Sequence, residues 1–345
     1  LDGPIQTPWR VVLVTPNLDR LVNADLIASL CPAPDATLFA DTSYIRPGRC
    51  VWRWWAHDTG TPAEERRYVD AAAKLGFEYS LVDEGWKDWP DAWGDLTGLC
   101  AYAAERRVGI WVWCHWQDVN DPANDYAALA AYLERVAKTG AVGVKIDFMN
   151  GEDLARVRFN EAVLRHAARN RLMVNLHGCG KPTGESRTYP NELTREGIRG
   201  LELNRMNKPL PPEHDAALPF TRFLVGPGDY TPLTVTAERL GETTVAHQLA
   251  TIVAFTSPLQ VLAEDPEKLL TDERWRPIVN LLRAVPTTWD ETRVLPGSAL
   301  GERAVLARRK GRTWYVAGVN GAAAHDYRLA TDFLDGPRWT ANIIT

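Results

Sequence analysis

Residues 142–149 read VGVKIDFM, an apolar run that carries two charged residues, Lys145 and Asp147. Runs of this kind are typical of parallel strands that are buried on both faces. Seven further apolar runs occur, at residues 51–55, 79–82, 109–113, 172–176, 200–203, 220–225 and 259–262. Amphipathic helical patterns separate the early runs, at residues 62–75, 126–138 and 153–169. Together these strand–helix units predict an α/β fold of the (β/α)8 TIM-barrel type.

A doubly wound open sheet is the alternative that the same alternation allows. It would be favoured by a glycine-rich phosphate loop directly after the first strand. The first apolar run is followed by Ala56, His57 and Asp58 instead, without a G-x-G-x-x-G pattern. The barrel is therefore the preferred prediction.

The flanks of the predicted barrel follow different patterns. Residues 1–47 contain a strand-like run at 9–14, a helical pattern at 18–30 and a proline-rich linker. Near the other end, strand-like runs at 303–308, 313–319 and 339–344 alternate with Gly- and Asp-rich turns, which indicates a small antiparallel unit. We therefore divide the chain into an N-terminal segment at 1–47, a (β/α)8 barrel at 48–286 and a partial C-terminal β-domain at 287–345.

The composition argues against several classes of protein. The chain has 345 residues and a formal net charge of −5, and its basic residues are scattered rather than clustered. Nucleic-acid binders usually carry a basic patch, so we expect no nucleic-acid partner. No apolar run is long enough for a membrane-spanning helix. The five cysteines form no C-x-x-C pair, which argues against a zinc ribbon.

Polar side chains follow the apolar runs at the points where the strands are predicted to end. In a barrel, the carboxyl ends of the strands meet at one face and carry the functional groups. The residues concerned are His57, Asp58, Asp83, Glu84, His115, Gln117, Asp147, Asn175, His177, Glu202 and Asn204. Fourteen tryptophans accompany them, among them Trp54 and Trp113. Carboxylates, amides, histidines and flat aromatic rings with a polar tip are typical of a carbohydrate site.

A zinc hydrolase is a weaker interpretation of the three histidines His57, His115 and His177. Zinc sites typically show a tight pair such as H-x-H or H-E-x-x-H, and the sequence has neither. Hydrogen bonds to sugar hydroxyls are the better prediction for His115 and His177.

Lys145 and Asp147 lie two residues apart on a predicted strand, so their side chains point to the same side. That side is the barrel interior, because Val144 and Ile146 would face the helices. A charged pair in such an interior is costly unless it is partnered. The two residues form either a structural ion pair or a carboxylate nucleophile that a cation keeps ionised, and we favour the nucleophile.

Residues 175–204 contain a long irregular stretch, which in a compact domain is usually functional. It carries Glu185, Glu192, Glu196 and Glu202, and composition alone does not choose among them.

The motifs of the chain resemble those of glycoside hydrolase family 97. The matching stretches are PWRVVLV at 8–14, DTSYIRPG at 41–48, WRWW at 52–55, LVDEGW at 81–86, VKIDFM at 144–149, RTYPNELTREGIRGLE at 187–202, PFTRFLVGPGDYTP at 219–232 and AHQLA at 246–250. They cover nearly all of the predicted barrel. The resemblance implies an exo-acting α-glycosidase with a calcium ion in its site.

The resemblance also implies a reaction type. In the inverting branch of the family the strand-4 nucleophile is missing, and a glutamate directly after the strand-5 histidine acts as base. Here that position is Gly178, and Asp147 is present. The sequence is therefore similar to the retaining branch, whose characterised members are similar to α-galactosidases. By this resemblance Asp147 is the nucleophile, Glu202 the general acid/base, and Glu196 a calcium ligand together with Glu202.

The remaining expectations concern the substrate and its surroundings. We expect an oligosaccharide with a terminal α-galactose, bound by Trp54, Asp83, Glu84, Trp113, His115, Lys145 and His177. An α-glucosidase on the same scaffold and a non-catalytic sugar-binding or truncated relative are the alternatives. Members of the family carry a large N-terminal β-domain that supplies an acidic calcium ligand. Residues 1–47 would be its remnant, the missing part is expected to be needed, and Glu192 or Asn175 could substitute as ligands. The relatives also imply a periplasmic or secreted location.

Overall fold

A computed structural model describes residue 7, residues 9–336 and residues 338–344. Parts of the predicted terminal units, namely residues 1–6, Pro8, Pro337 and Thr345, lie outside the described residues. The strands are β1 (Gly48–Trp52), β2 (Tyr79–Val82), β3 (Gly109–His115), β4 (Gly143–Asp147), β5 (Met173–Leu176), β6 (Glu192–Arg195), β7 (Leu259–Leu262), β8 (Glu291–Val294), β9 (Arg303–Lys310) and β10 (Thr313–Asn320).

Helices cover the outside of the sheet and the chain ends. They are α1 (Leu18–Val22), α2 (Leu26–Ser29), α3 (Arg53–His57), α4 (Pro62–Leu75), α5 (Ala92–Ala104), α6 (Ala127–Lys138), α7 (Leu154–Arg169), α8 (Glu185–Thr188), α9 (Glu202–Arg205), α10 (Pro212–Ala217), α11 (Val245–Ala254), α12 (Pro266–Thr271) and α13 (Arg276–Ala284). In the described part of the chain, no helix is both long and apolar enough to cross a bilayer.

The barrel prediction is confirmed by the sheet. In the described residues the parallel strands run in the order β6-β5-β4-β3-β2-β1-β7, which is a nearly closed barrel. The sequence sets the ends of the crossover helices through local capping. Thr61 and Glu64 form a capping box at the start of α4, and Gly76 ends it in the left-handed conformation. Asp153 accepts a hydrogen bond from the Arg156 backbone N–H at the start of α7.

Two of the predicted strands are wrong. Residues 200–203 lead into α9, and residues 218–224 form two short 3-10 turns. Each segment contains a buried apolar residue, Leu201 or Phe220, and a short apolar run does not reveal whether it is a strand or a turn. The sixth strand is β6, which the apolar pattern missed because two of its residues, Glu192 and Arg195, are charged. They are both buried and pair with each other at 2.6 Å.

An irregular buried segment at residues 228–235 lies in the opening between β6 and β7. The Asp229 N–H donates to the Arg195 carbonyl of β6 at 3.0 Å, and the Pro232 carbonyl accepts from the Ala263 N–H at 3.1 Å. These hydrogen bonds tie the segment to both edges of the sheet, so the polypeptide closes the barrel there without a regular strand.

The C-terminal unit is an antiparallel sheet in the order β10-β9-β8. Alternate residues of β9 serve two cores: Ala304 and Leu306 join the barrel core, whereas Val305 and Ala307 pack with Phe333 in a separate cluster. The predicted strands at 303–308 and 313–319 are present, β8 was missed, and residues 338–344 form no strand. At the other end, residues 9–14 form no strand, and α1 and α2 replace the single predicted helix.

Candidate active site

The carboxyl ends of β2 to β5 place a group of charged side chains side by side. The strand register pairs Trp113 of β3 with Lys145 of β4, and His115 with Asp147. Asp83 directly follows β2, and His177 directly follows β5. The structure thereby brings together Asp83, Trp113, Lys145, Asp147, His177, Glu196 and Glu202.

Lys145 is the buried cation of this group. Its Nζ lies 3.0 Å from Asp83 Oδ2 and 3.6 Å from Asp147 Oδ2. It also lies 4.7 Å from the centre of the Trp52 ring, whose Nε1–H donates to Asp83. Burial alone would lower the pKa of Lys145, but the neighbouring carboxylates outweigh burial and raise it. Lys145 therefore stays positively charged and holds two carboxylates in place.

Asp147 is surrounded by groups that favour its ionised form. The Trp113 Nε1–H donates to Oδ2 at 3.1 Å, and the Phe148 backbone N–H donates to Oδ1 at 2.6 Å. Burial alone would raise the pKa of Asp147, but the charges of Lys145 and His177 and both hydrogen bonds hold it below its usual range. Asp147 is therefore a fixed, buried carboxylate.

His177 lies at the centre of the cluster and is only 2% exposed. Its Nδ1 lies 3.5 Å from Glu196 Oε2, 3.7 Å from Glu202 Oε1 and 3.9 Å from Asp147 Oδ2. Burial alone would lower the pKa of His177, but the surrounding carboxylates raise it to about 10. One imidazole nitrogen therefore faces three carboxyl groups.

Glu202 is the first residue of α9, and its surroundings differ from those of Asp147. Its Oε1 is buried and has no hydrogen-bond partner among the described residues. Burial is the main reason that the pKa of Glu202 is raised to about 7, against the opposing charges of His177 and Lys145. The two carboxyl groups, Asp147 and Glu202, thus share one nitrogen contact but favour opposite protonation states.

Carboxylate oxygens in this cluster are suitable donors for a hard cation. Ligand atoms of His177, Glu196 and Glu202 lie within 4.8 Å of one another. Calcium takes about six to eight oxygen ligands, so the two glutamates fit it better than the imidazole does, and further oxygens would have to come from water or sugar. The unpartnered Glu202 Oε1 agrees with this donor set.

Glu192 and Asn175, the two residues suggested as substitute calcium ligands, both have other partners in the structure. Glu192 is engaged by Arg195 in β6. Asn175 donates from Nδ2 to Asp229, and its Oδ1 has no partner among the described residues.

Three of the predicted sugar-binding residues lie outside this cluster. Trp54 stacks on Trp52 with ring centres 5.1 Å apart, and the Arg205 guanidinium lies 4.1 Å from the Trp54 ring centre. Glu84 is exposed. His115 stacks on Phe148 with ring centres 5.3 Å apart and borders the cluster. Sugar binding by these residues stays a prediction.

Two protein-family models match this chain. A family model described as glycoside hydrolase 97 matches residues 52–198, and a model of the glycosyl-hydrolase 97 C-terminal, oligomerisation region matches residues 288–345. The chain belongs to glycoside hydrolase family 97. This confirms the resemblance seen in the sequence.

Individual proteins similar to this chain were also found. A probable retaining α-galactosidase of Streptomyces bingchenggensis is 38% identical over 94% of this chain and 51% of its own length. A retaining α-galactosidase of Bacteroides thetaiotaomicron is 32% identical over 99% of this chain and 54% of its own length. A family 97 enzyme from Pseudoalteromonas sp. strain K8, solved with acarbose, is 28% identical with a TM-score of 0.79, over 92% of this chain and 56% of that one. The chain therefore spans about half the length of these relatives.

Gly178 directly follows His177, and the structure leaves no room for a side chain at this position. Its φ is +51°, and a β-carbon built there would lie 2.7 Å from the Phe148 nitrogen and 2.9 Å from Asp147 Oδ1. Phe148 itself has a φ of +67°, an uncommon conformation for a bulky residue, and this turn aims its N–H at Asp147. A side chain at 178 is therefore incompatible with the present position of Asp147.

For the reaction proposed below, Gly178→Ala is expected to lower kcat by about 100-fold or more, because displacing a reacting group by about 1 Å can cost that much. The measurement is steady-state hydrolysis of an aryl α-galactoside. Gly318→Ala is the matched control, since its added β-carbon would meet no described atom within 4 Å. Equal activity of the two variants would contradict the placement of Asp147 against Gly178.

Asp229 and Arg222 also contribute to this site, although neither was predicted from the sequence. Asp229 is 2% exposed, accepts a hydrogen bond from Asn175 Nδ2, and lies 3.2 Å from His177 Nε2. The Arg222 guanidinium donates to the backbone carbonyls of Glu196, Gly197 and other residues of the two adjoining loops. Both lie in the matched stretch 219–232, where an acidic and a basic residue among apolar and glycine residues were the available signal.

Proposed function

We propose that this family 97 chain is an exo-acting, retaining α-glycosidase that releases terminal α-galactose. The observation that carries the proposal is that Asp147 and Glu202 both lie within 4 Å of His177 Nδ1, at 3.9 and 3.7 Å. Glycosidases use a pair of neighbouring carboxyl groups. In a retaining enzyme, one carboxyl group must be ionised to act as the nucleophile and the other must be protonated to act as the acid. The names of the two α-galactosidase relatives support the choice of galactose.

In the first step, an oxygen of Asp147 attacks the anomeric carbon while the bond to the leaving oxygen breaks. Glu202 gives its proton to that oxygen, and the product alcohol leaves. In the second step, Glu202 takes a proton from water, and the resulting hydroxide attacks the anomeric carbon. The bond to Asp147 then breaks, and two inversions give net retention. The charge of Lys145 balances the carboxylate before and after the reaction.

The remaining residues of the cluster bind and orient the sugar in this proposal. Asp83 and Lys145 offer buried polar groups to the sugar hydroxyls, and Trp113 holds the nucleophile oxygen. Glu196 and Glu202 would hold a Ca²⁺ ion, completed by oxygens of water or sugar. When bound, calcium would supply positive charge that orients hydroxyl groups and stabilises negative charge.

Proton NMR during the first minutes of hydrolysis of an aryl α-galactoside, with Ca²⁺ present, tests the proposal. We expect α-galactose to appear first and then to mutarotate. First appearance of β-galactose, or the absence of turnover, would overturn the retaining reaction of this chain. The matching aryl α-glucoside should turn over much more slowly; faster hydrolysis of the glucoside would favour an α-glucosidase.

The same protein tests the calcium part of the proposal without turnover. A ligand that binds only the folded state raises the melting temperature. Ca²⁺ should therefore raise Tm relative to excess chelator, and Glu196→Gln should reduce that shift. A Tm that does not respond to Ca²⁺ would remove calcium from the proposal.

A further inference from the structure

Asp229 is a buried carboxylate that the proposed reaction does not use directly. Its Oδ2 accepts from Asn175 Nδ2 at 2.7 Å and lies 3.2 Å from His177 Nε2. In the tautomer that the proposal requires, the His177 Nε2–H donates to this oxygen. The other nitrogen of the same ring is the one that faces Glu196, Glu202 and Asp147. Asp229 therefore acts on one edge of the His177 ring while the reacting carboxyl groups lie at the other.

The backbone around Asp229 is held firmly. Its N–H donates to the Arg195 carbonyl of β6, which fixes the irregular segment against the sheet. The buried Arg222 guanidinium bridges the two neighbouring loops through the carbonyls of Arg195, Glu196, Gly197, Gly226 and Pro227, at 2.7 to 3.0 Å. One guanidinium thus joins the loop that carries Glu196 to the loop that leads to Asp229. This rigid support is what a residue needs in order to orient another side chain.

We propose that Asp229 is a positioning residue whose carboxylate fixes the orientation of the His177 ring and so places Nδ1 between Asp147 and Glu202. The role resembles that of carboxylates that orient histidines at metal sites, where removing the orienting partner costs about 10- to 100-fold in affinity or activity. The proposal rests on the proposed function for its kinetic consequence, but not for its geometric one. Without the acceptor on Nε2, the ring can rotate and the contact of Nδ1 with both carboxyl groups is lost.

A second buried Asp–His pair in the barrel shows what a purely structural pair looks like and provides a matched control. Asp215 is fully buried, lies 2.9 Å from His247 Nε2, and accepts from the Tyr230 hydroxyl at 2.8 Å. Among the described residues, Asp215 is the carboxylate that lies against His247. The chemistry of this pair equals that of Asp229 and His177, but neither partner touches Asp147 or Glu202.

Kinetics of the two pairs with an aryl α-galactoside give the first readout. Asp229→Ala should lower kcat about 10- to 100-fold with KM changed less than about threefold, because positioning of the reacting groups is lost rather than sugar binding. Asp229→Asn should lose less, because its amide oxygen can still accept from Nε2–H. Asp215→Ala, the matched substitution, should retain kcat within about twofold. A loss of kcat in Asp229→Ala no larger than in Asp215→Ala would overturn the proposal.

Histidine NMR gives the second readout and needs no turnover. In protein labelled with ¹⁵N-histidine, the His177 Nε2–H signal, assigned with His177→Gln among the seven histidines, should be protected from exchange with water. It should disappear in Asp229→Ala, persist in Asp229→Asn and be unaffected in Asp215→Ala. If the His177 Nε2–H signal persists in Asp229→Ala, the positioning role is refuted, whether or not the wild-type protein is active. Inactive wild-type protein that shows the expected signals would refute the proposed function alone.

Discussion

Asp147→Ala is expected to lower kcat for an aryl α-galactoside by about 10⁴-fold or more, the scale seen when a covalent nucleophile is removed. The carboxylate is buried at the end of β4 and receives hydrogen bonds on both oxygens, from Trp113 and Phe148. Alanine leaves those donors and the Lys145 charge in place but removes the attacking atom. Most of the loss should therefore come from chemistry rather than from binding.

External azide or formate should restore part of the activity of Asp147→Ala. A small anion can occupy the space of the missing carboxylate beside Lys145 and attack the anomeric carbon in its place. With azide, the expected product is β-galactosyl azide, because a single displacement inverts the anomeric centre. The measurement is product NMR together with the rate as a function of azide concentration. If Asp147→Ala retained most of its activity without azide, Asp147 would not be the nucleophile.

Glu202→Ala is expected to lower the rate of glycoside cleavage by a factor that depends on the leaving group. General acid catalysis contributes about 10²- to 10⁴-fold, and it matters most when the departing alkoxide is a poor leaving group. Hydrolysis of methyl α-galactoside should therefore fall by that factor. Formation of the glycosyl-enzyme from a dinitrophenyl α-galactoside should fall by less than about tenfold, since that leaving group needs no proton.

The comparison of the two substrates makes the Glu202 prediction specific. Pre-steady-state kinetics separate glycosyl-enzyme formation from its hydrolysis, which also needs Glu202 as base. Glu185→Gln is the control, because Glu185 lies in the same irregular stretch and pairs with Arg195 outside the cluster. Equal losses for good and poor leaving groups in Glu202→Ala would contradict its role as acid.

Local patterns predicted β2 to β5 and the helices α4, α6 and α7 well, but the first predicted strand, at 51–55, overlaps β1 by only two residues and continues into α3. The apolar runs at 79–82, 109–113 and 142–148 correspond to β2, β3 and β4, and the pattern at 62–75 coincides with α4. The apolar residues that form the pattern are the ones that these elements bury in the core, so the pattern predicts the structure. The second half of the barrel was harder. There β6 contains a buried Glu192–Arg195 pair, and the segment at 228–235 closes the sheet without regular strand geometry.

The linear order of the residues was sufficient for the fold class, the family and the presence of a buried Lys145–Asp147 pair, because strand alternation sends both side chains inward. It was not sufficient for the role of His177 as the point where Asp147, Glu196 and Glu202 meet, nor for Asp229 behind it. Those residues are separated by up to 82 positions and come from a strand, a helix and three different connecting segments. Their contacts depend on how β4, β5 and the closing segment at 228–235 are placed against one another. Local periodicity carries no information about such long-range packing, and only the closed barrel brings these charges close enough to set one another's protonation.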